Sequence, residues 1–211
     1  FRAPVTNELY SNDGVTLGNP SLQPEVVSTT EVQYFYRQPD WSAEVTAFNT
    51  YLSELIVSEP IDDSGRTTFV NGGNHELSGL EALLNVKLGE HLRARASLTH
   101  YLSDTVEGSY DKFAAVSLFY SKDKWQASIN AVLRPSVEID EGIRIEGNST
   151  VFSESSQQLL NTMLSYRVGR NLTLALNIEN LTDQKYMVYE PRQNKNQYRV
   201  PQTGRLVRLS A

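Results

Sequence analysis

Apolar and polar residues alternate with a period of two along most of this 211-residue chain. From Leu92 to Leu98 every second residue is apolar, and the positions between them hold Arg93, Arg95 and Ser97. Because successive side chains leave a β-strand on opposite faces, this alternation is typical of strands with one apolar and one polar face. It therefore predicts an all-β protein.

The same pattern returns along the chain and predicts about nine strands. In chain order, the predicted strands are residues 25–36, 41–57, 80–88, 92–102, 114–120, 125–133, 160–168, 172–178 and 204–211. A short helical turn is expected near Asn180–Tyr186, inside a loop. The regular succession of strands predicts consecutive hairpins.

The connections between these strands alternate between short and long. The four tight turns are Pro39–Asp40, Gly89–His91, Lys122–Lys124 and Gly169–Asn171. The longer connections are residues 59–74, 103–110, 135–156 and 181–203. Short turns at one end and long loops at the other are typical of an outer-membrane β-barrel, with the short turns in the periplasm.

The apolar face of the eight clearer strands carries no Asp, Glu, Lys or Arg. Such a charge facing lipid near the membrane midplane costs roughly 2–4 kcal/mol for Arg or Lys, whereas a water-filled lumen accepts charge. Aromatic residues on this face lie near the short turns, as expected of a girdle at the membrane surface. They are Tyr34, Tyr36, Trp41, Tyr120, Trp125 and Tyr166.

Composition excludes several other classes of protein. The chain has no run of about 18 apolar residues, which argues against a transmembrane helix, and it has no cysteine, which excludes disulfides. The net charge of −6 argues against nucleic acid as a partner. Phe1 is neither an initiator Met nor the start of a signal peptide, so we expect the chain to belong to a longer protein.

Five segments resemble segments of TonB-dependent outer-membrane receptors, in the order that the family has them. They are FRAP followed by ELY at residues 1–10, GNPSLQPE at 18–25, NGG with SGLE at 71–81, NLTDQKY at 180–186, and Pro201 with a Gly-Arg pair at 204–205. The residues that carry the resemblance are Arg2, Pro4, Asn19, Pro20, Pro24, Glu25, Gly79, Glu81, Asn180, Asp183, Tyr186, Gly204 and Arg205.

The resemblance implies an antiparallel transmembrane β-barrel, of which this chain forms about the last nine of 22 strands. Residues 1–24 are then an extracellular loop segment, and residues 25–211 are the strands with their turns and loops. The plug domain inside the barrel, and the segment that contacts TonB, are expected upstream of this chain.

The implied function is energised uptake of a scarce nutrient across the bacterial outer membrane, above all an iron–siderophore chelate. Its partners are then outer-membrane lipid, TonB with its inner-membrane energising complex through the plug, and a small-molecule ligand. No cofactor is expected. The alternative is a soluble or peripheral carbohydrate-binding β-sandwich, in which the apolar face is a core.

The polar face supplies the candidate ligand contacts. Arg93 and Arg95 lie two residues apart on one strand face, where two guanidinium groups suit an anionic chelate. Glu81 and Tyr101 complete the candidates. The simpler interpretation, in which the arginines pair with lumen carboxylates or with the plug, also fits a polar barrel interior.

A β-barrel enzyme is disfavoured, and no catalytic residue is proposed. The sequence has three histidines, His75, His91 and His100, but no Gly-x-Ser-x-Gly segment that would supply a nucleophile beside them. No His or Cys pair has metal-ligand spacing. The acidic stretches at residues 62–63 and 104–107 are interpreted as solvated loop charge rather than as a calcium site.

Overall fold

A computed structural model of the chain describes residues 1–61, 65–103, 109–145, 148–154, 156–190 and 198–211. These residues form a helix, α1, at Thr6–Tyr10, and the strands β1 Thr16–Leu17, β2 Val26–Arg37, β3 Trp41–Ser53, β4 Ile56–Pro60, β5 Thr67–Asn71, β6 His75–Lys87, β7 Leu92–Tyr101, β8 Lys112–Lys122, β9 Trp125–Arg134, β10 Val137–Ile145, β11 Asn148–Glu154, β12 Gln157–Arg167, β13 Thr173–Glu179, β14 Met187–Glu190, β15 Tyr198–Pro201 and β16 Leu206–Ser210. Among the described residues, no helix has the length and apolarity needed to span a membrane.

Nine of the strands form one antiparallel sheet, in the order β16-β13-β12-β9-β8-β7-β6-β3-β2. Apart from the loop strands, neighbours in this sheet are also neighbours along the chain. The prediction of about nine strands in consecutive hairpins is therefore confirmed. The four short turns connect β2 to β3, β6 to β7, β8 to β9 and β12 to β13. We call this end of the strands the hairpin end, and the other the loop end.

The strand registers place the predicted apolar and polar sets on opposite faces. Leu118 of β8 pairs with Ala94 of β7 and with Ile129 of β9. The next residue, Ser117, pairs with Arg95. Because directly paired residues lie on the same face of a sheet, one face collects apolar side chains and the other collects polar ones.

The apolar face of the sheet is exposed among the described residues, unlike the corresponding face of the predicted alternative, a soluble β-sandwich. A sandwich buries this face in its core, whereas seven of its residues from β7 to β13 are 37% to 47% exposed. They are Leu98, Val116, Leu118, Ile129, Leu133, Leu164 and Leu174. Because water disfavours such a surface, this face needs an apolar covering, which the described residues do not supply.

Aromatic side chains on the apolar face contact each other beside the hairpin turns. The rings of Tyr36 and Trp41 are 5.2 Å apart between centroids, and those of Trp125 and Tyr166 are 4.5 Å apart. Tyr36 and Trp41 flank one short turn, whereas Trp125 and Tyr166 pair across β9 and β12 and each lies beside a different short turn. Amphipathic rings at this level suit the boundary between lipid tails and headgroups.

Strand β8 corrects the prediction that the apolar face is free of charge. The strand is longer than predicted, so that Lys112 and Lys122 fall on the apolar face, where Lys112 pairs with His100 and Lys122 with Trp125. Both lysines lie at strand ends. A lysine there extends its ammonium group to the aqueous surface while its methylene groups stay in the apolar layer.

The predicted strand at residues 41–57 is interrupted in the structure. β3 ends at Ser53, and Glu54 takes the left-handed conformation with φ 57°. The Glu54 carbonyl accepts a 2.8 Å hydrogen bond from the Asn71 side-chain amide. The alternation of apolar and polar residues in the sequence continues across this break into β4, which begins at Ile56. Periodicity alone therefore did not reveal the turn.

The long connections contain strands that the sequence did not predict. β4 pairs with β5, β10 with β11, and β14 with β15, each pair antiparallel. The helical turn expected near Asn180–Tyr186 is wrong. Asn180 and Asp183 have positive φ values of 50° and 55°, which a right-handed helix does not allow, and the segment is a turn instead.

The chain divides into two compact units. Unit 1 comprises Phe1–Val32 and Ala47–Gly79, and unit 2 comprises Gln33–Thr46 and Leu80–Ala211. Leu22 and Phe69 are the buried apolar side chains of unit 1 among the described residues.

Candidate functional site

The polar face of unit 2 forms a concave region of about 800 Å³ near the hairpin end. We call it the hairpin-end pocket. Its charged lining residues are Arg37, Lys87, Arg93, Arg95, Asp40 and Glu90, with His91 beside them. Four permanent cations and two carboxylates make this surface positive overall, which favours anions.

Arg93 and Arg95 point to the same face of β7, and both are exposed. Within the described residues, neither guanidinium has a hydrogen bond or an ion pair. The neighbouring cations are more constrained: Lys87 Nζ donates to the carbonyl of Pro39 at 2.8 Å, and Arg37 lies 5.1 Å from the ring centroid of Phe35. Arg93 and Arg95 are therefore the cations of the pocket that have no partner among the described residues.

The other two predicted contacts lie elsewhere. Tyr101 is the last residue of β7, at the opposite end of the strand from Arg93, and a rise of about 3.4 Å per residue separates them by roughly 27 Å. Glu81 lies in the middle of β6 and is exposed. It is not among the described residues that line the hairpin-end pocket. The structure therefore joins Arg93 with Arg95 but brings neither Glu81 nor Tyr101 to them.

A second polar cluster, absent from the sequence predictions, lies at the loop end of unit 2. Arg134 Nη1 donates to Gln157 Oε1 at 3.2 Å, and Gln157 Nε2 donates to the Tyr110 hydroxyl at 2.7 Å. The guanidinium carbon of Arg134 lies 5.5 Å from the centroid of the Tyr110 ring. Gln157 is only 1% exposed. We call these three residues the Arg134 cluster.

The sequence carried a weak signal for this cluster. Arg134 has the polar parity of its strand and is the last residue before a long connection. Its partners Tyr110 and Gln157 are distant in sequence and were assigned to loops or left unassigned. Only the pairing of β9 with β12, which sets Arg134 opposite Gln157, brings them together.

The first two family motifs meet in unit 1 through an ionic clasp. Arg2 binds both oxygens of Glu25, with Nε–Oε2 at 2.5 Å and Nη2–Oε1 at 2.7 Å, and its Nη1 binds Glu8 at 3.0 Å. The backbones of Arg2 and Glu25 also exchange two hydrogen bonds, at 3.0 and 2.9 Å. The hydrogen bonds from Arg2 lower the pKa of Glu25 to about 2, and those carboxylates raise the pKa of Arg2.

Asn19 fastens the second motif to β5. Its side-chain amide donates to the carbonyl of Phe69 at 2.9 Å, and its Oδ1 accepts from the backbone of Ser21 at 3.0 Å. Gly18 packs against backbone, because a Cβ there would lie 2.5 Å from the amide nitrogens of Tyr10 and Ser11. Among the prolines of these motifs, Pro4 is half-buried before α1, whereas Pro20 and Pro24 are exposed in the segment before β2.

The fourth motif forms an amide clasp in unit 2. The side chain of Asn180, only 6% exposed, donates to the carbonyl of Gln184 and accepts from its amide, both at 2.9 Å. The backbone amide of Asn180 donates to Asn161 Oδ1 at 2.9 Å. Gln184 Oε1 then accepts from the amide of Gln158, and its Nε2 donates to the carbonyl of Ser156. The turn after β13 is thus tied to β12.

Asp183 connects this turn to the fifth motif. Its Oδ1 accepts from the amide of Arg205 at 2.7 Å and from Lys185 Nζ at 3.1 Å, and these bonds lower the pKa of Asp183. A Cβ on Gly204 would lie 2.5 Å from that oxygen, so glycine leaves room for the carboxylate. The carbonyl of Tyr186, which is half-buried, accepts from Gln202 at 3.0 Å.

The remaining motif residues are in β6. Gly79 is buried there, and Glu81 is exposed two residues later. The motif residues of the chain therefore divide into positions that fix loops to strand ends and positions inside a strand.

The histidines do not assemble a site. Among the described residues, no group of three or more His, Asp or Glu side chains is arranged to hold a metal ion. His75 Nε2 is buried and has no hydrogen-bond partner within the described part of the chain. The acidic residues 62–63 and 104–107, considered for calcium, lie outside the described residues.

Comparison with known proteins agrees with the fold and the motifs. Residues 1–181 match the family model described as TonB-dependent receptor-like, β-barrel. The vitamin B12 transporter BtuB of Vibrio vulnificus (strain YJ016) is 26% identical over 188 residues, which cover 88% of this chain and 29% of BtuB.

Solved structures share the fold. A mutant ferric enterobactin receptor from Pseudomonas aeruginosa, in complex with enterobactin, has a TM-score of 0.74 at 17% identity, covering 91% of this chain and 32% of the receptor. The copper transporter OprC has a TM-score of 0.72 at 17% identity, covering 97% of this chain and 35% of OprC. The chain thus spans about a third of the length of the proteins it matches.

Proposed function

Because this chain belongs to the family of TonB-dependent receptor-like β-barrels, we propose that it forms part of an outer-membrane receptor for energised nutrient uptake. The observation that carries the proposal is the exposed apolar face of the nine-stranded sheet, opposite a polar face that bears cations. Such a sheet lines an aqueous lumen with its polar face and meets outer-membrane lipid with the other.

The orientation follows from the lengths of the connections. We assign the hairpin end to the periplasm and the loop end, including residues 1–24, to the cell exterior, as in outer-membrane barrels generally. The rest of the barrel, the plug and the contact with TonB and its inner-membrane complex belong to other parts of the full-length protein in this proposal.

The proposed cargo is a metal chelate, above all an iron–siderophore complex. The similar proteins are described as transporters of vitamin B12 and copper and as a receptor for ferric enterobactin, which supports a metal-containing small molecule without selecting one. The positive hairpin-end pocket supports an anionic cargo.

Within this function, Arg93 and Arg95 are proposed to contact the cargo near the periplasmic exit of the lumen. Tyr101 is proposed as a contact at the loop end, and Glu81 as a lumen-wall residue between them. The competing explanation is that the arginines bind acidic residues of the plug. If replacing both arginines by glutamine leaves ligand affinity unchanged, their role as ligand contacts is excluded.

The test of the function is an uptake assay with the full-length protein. A strain that lacks the gene and a complemented strain are compared for uptake of ⁵⁵Fe-loaded siderophores, with and without a protonophore. Uptake that depends on both the gene and the proton gradient is expected. If the deletion strain matches the complemented strain for every iron chelate and for cobalamin, the proposal is wrong.

A further inference from the structure

The exposed apolar face of unit 2 carries a lysine at each end of β8. The strand has 11 residues and runs from Lys112 to Lys122. The residues between the two lysines on this face are Ala114, Val116, Leu118 and Tyr120. Steps of about 3.4 Å per residue separate the lysines by roughly 34 Å along the strand. A strand tilt of about 40° reduces this to roughly 26 Å across a membrane, close to the apolar band of about 25 Å in outer-membrane barrels.

The lysine at the loop end has a second nitrogen-bearing side chain beside it. His100 of β7 pairs directly with Lys112, so both side chains lie on the apolar face. The Nδ1 atom of His100 lies 3.4 Å from the carbonyl oxygen of Asp111. When each ring nitrogen carries a proton, Nδ1 donates to that carbonyl and Nε2 remains a donor for a ligand. At the hairpin end Lys122 pairs instead with Trp125, whose indole supplies one N–H and no charge.

The ammonium group of Lys112 is only weakly engaged by its neighbour. Its Nζ lies 3.8 Å from Asp111 Oδ2, and both side chains are 54% exposed. This separation exceeds the range of a hydrogen bond, and an ion pair in contact with water contributes little. A phosphate group offers several charged oxygens that form shorter, charge-assisted hydrogen bonds with an ammonium group. The lysine can therefore exchange the carboxylate for a phosphate.

We infer that Lys112 and His100 bind the headgroup phosphate of a membrane lipid in the outer leaflet. This inference rests on the proposed function, because that function places the apolar face in the outer membrane and the loop end at the cell exterior. The ligand is a lipid because the next pair on the same face, Leu98 with Ala114, is apolar. Acyl chains of the bound molecule cover this pair while its phosphate meets the two nitrogen-bearing side chains.

Lipid binding by the purified full-length protein in dodecyl maltoside tests the inference, measured by titration in native mass spectrometry. The probe is dioleoylphosphatidate. Dioleoylglycerol serves as the same lipid without phosphate, and inorganic phosphate serves as the anion without acyl chains; both are expected to bind more weakly than the probe. Lys112→Gln is expected to raise the Kd for phosphatidate about fivefold, and adding His100→Gln is expected to raise it about tenfold or more.

Asp111→Asn separates a binding role from a structural one. The substitution removes the carboxylate that competes for Lys112 and keeps the backbone carbonyl that contacts His100. The Kd for phosphatidate is therefore expected to fall about two- to fivefold, with an unchanged melting temperature. A purely structural role of Lys112 gives no such gain. Lys124→Gln removes the same charge from the exposed turn between β8 and β9 and is the matched control, with no expected change.

The outcomes separate this inference from the function on which it rests. If Lys112→Gln binds phosphatidate as tightly as the unaltered protein, or if Lys124→Gln weakens binding equally, the inference is wrong. It is also wrong if inorganic phosphate binds as tightly as phosphatidate, because the site then recognises the free anion. Binding of phosphatidate that depends on Lys112, without proton-driven uptake of any chelate, supports the lipid site and rejects the transport function. Proton-driven uptake with lipid binding that ignores Lys112 upholds the transport function and rejects the lipid site.

Discussion

The ionic clasp of unit 1 and the amide clasp of unit 2 perform the same task with different chemistry. Each fixes a family motif to the end of a strand, Arg2 to Glu25 before β2 and Asn180 to Gln184 after β13. The side chain of Arg2 is 44% exposed, whereas Asn180 is 6% exposed. Water screens the first clasp and cannot replace the second, so the buried neutral clasp should contribute more to stability.

Removing the buried amide is expected to cost the most stability. Asn180→Ala leaves the amide and carbonyl of Gln184 without their partners and places an alanine at φ 50°. A loss of about 2–4 kcal/mol of local stability is expected, measured as faster hydrogen–deuterium exchange of residues 180–188. Thr182→Ala, at an exposed position of the same turn, is the control. Equal exchange in the two variants would show that the clasp is dispensable.

A smaller effect is expected at the junction of the last two motifs. Gly204→Ala places a methyl group against Asp183 Oδ1 and breaks its hydrogen bond with the amide of Arg205. The expected cost is about 1–2 kcal/mol, read from exchange of residues 203–208. Asp183→Asn keeps an oxygen acceptor in place and should cost less. If Gly204→Ala leaves the exchange of residues 203–208 unchanged, the Asp183 side chain moves aside at no cost in stability.

Removing the cation of the ionic clasp is expected to cost less than removing Asn180. Arg2→Gln should destabilise residues 1–10 by about 1 kcal/mol, since exposure to solvent reduces the worth of the ion pairs. Because salt screens charge, 1 M NaCl should shrink the difference between Arg2→Gln and the unaltered protein. The same salt should leave the Asn180→Ala effect unchanged. If 1 M NaCl also changes the effect of Asn180→Ala, the contrast between the ionic clasp and the amide clasp is contradicted.

The smallest effect is expected from acid. The pKa of Glu25 is lowered from 4.5 to about 2 by its hydrogen bonds with Arg2. A lowered pKa stabilises the folded state above pH 4.5, and this contribution declines as the pH falls from 4.5 towards 2. Exchange of residues 1–10, corrected for the intrinsic rate, should therefore rise in that range. Glu25→Gln should remove the dependence of this segment on pH.

The arginines illustrate how far sequence reasoning reached towards the site. Arg93 and Arg95 were predicted to share a face because they are two residues apart in a strand, and the structure confirms that they do. Tyr101 was grouped with them because it has the same parity, but parity does not indicate how far along the strand a residue lies. Arg134 was missed because its partners come from another strand and from a loop.

Sequence reasoning alone predicted the nine strands of the main sheet, their two faces and the alternation of short turns with long loops. These features follow from a period of two and from turn residues, which act between neighbours along the chain. The turn at Glu54 was not predicted, because a single left-handed residue leaves the alternation in the sequence unchanged.

Which polar residues meet became apparent only from the three-dimensional fold. Strand register set Arg134 opposite Gln157, the turn after β13 carried Asn180 to Gln184, and the first segment placed Arg2 on Glu25. Each of these contacts requires chain segments to come together through pairing or packing elsewhere. A hydrogen bond acts over about 3 Å, so residues distant in sequence form one only after the fold has set their distance.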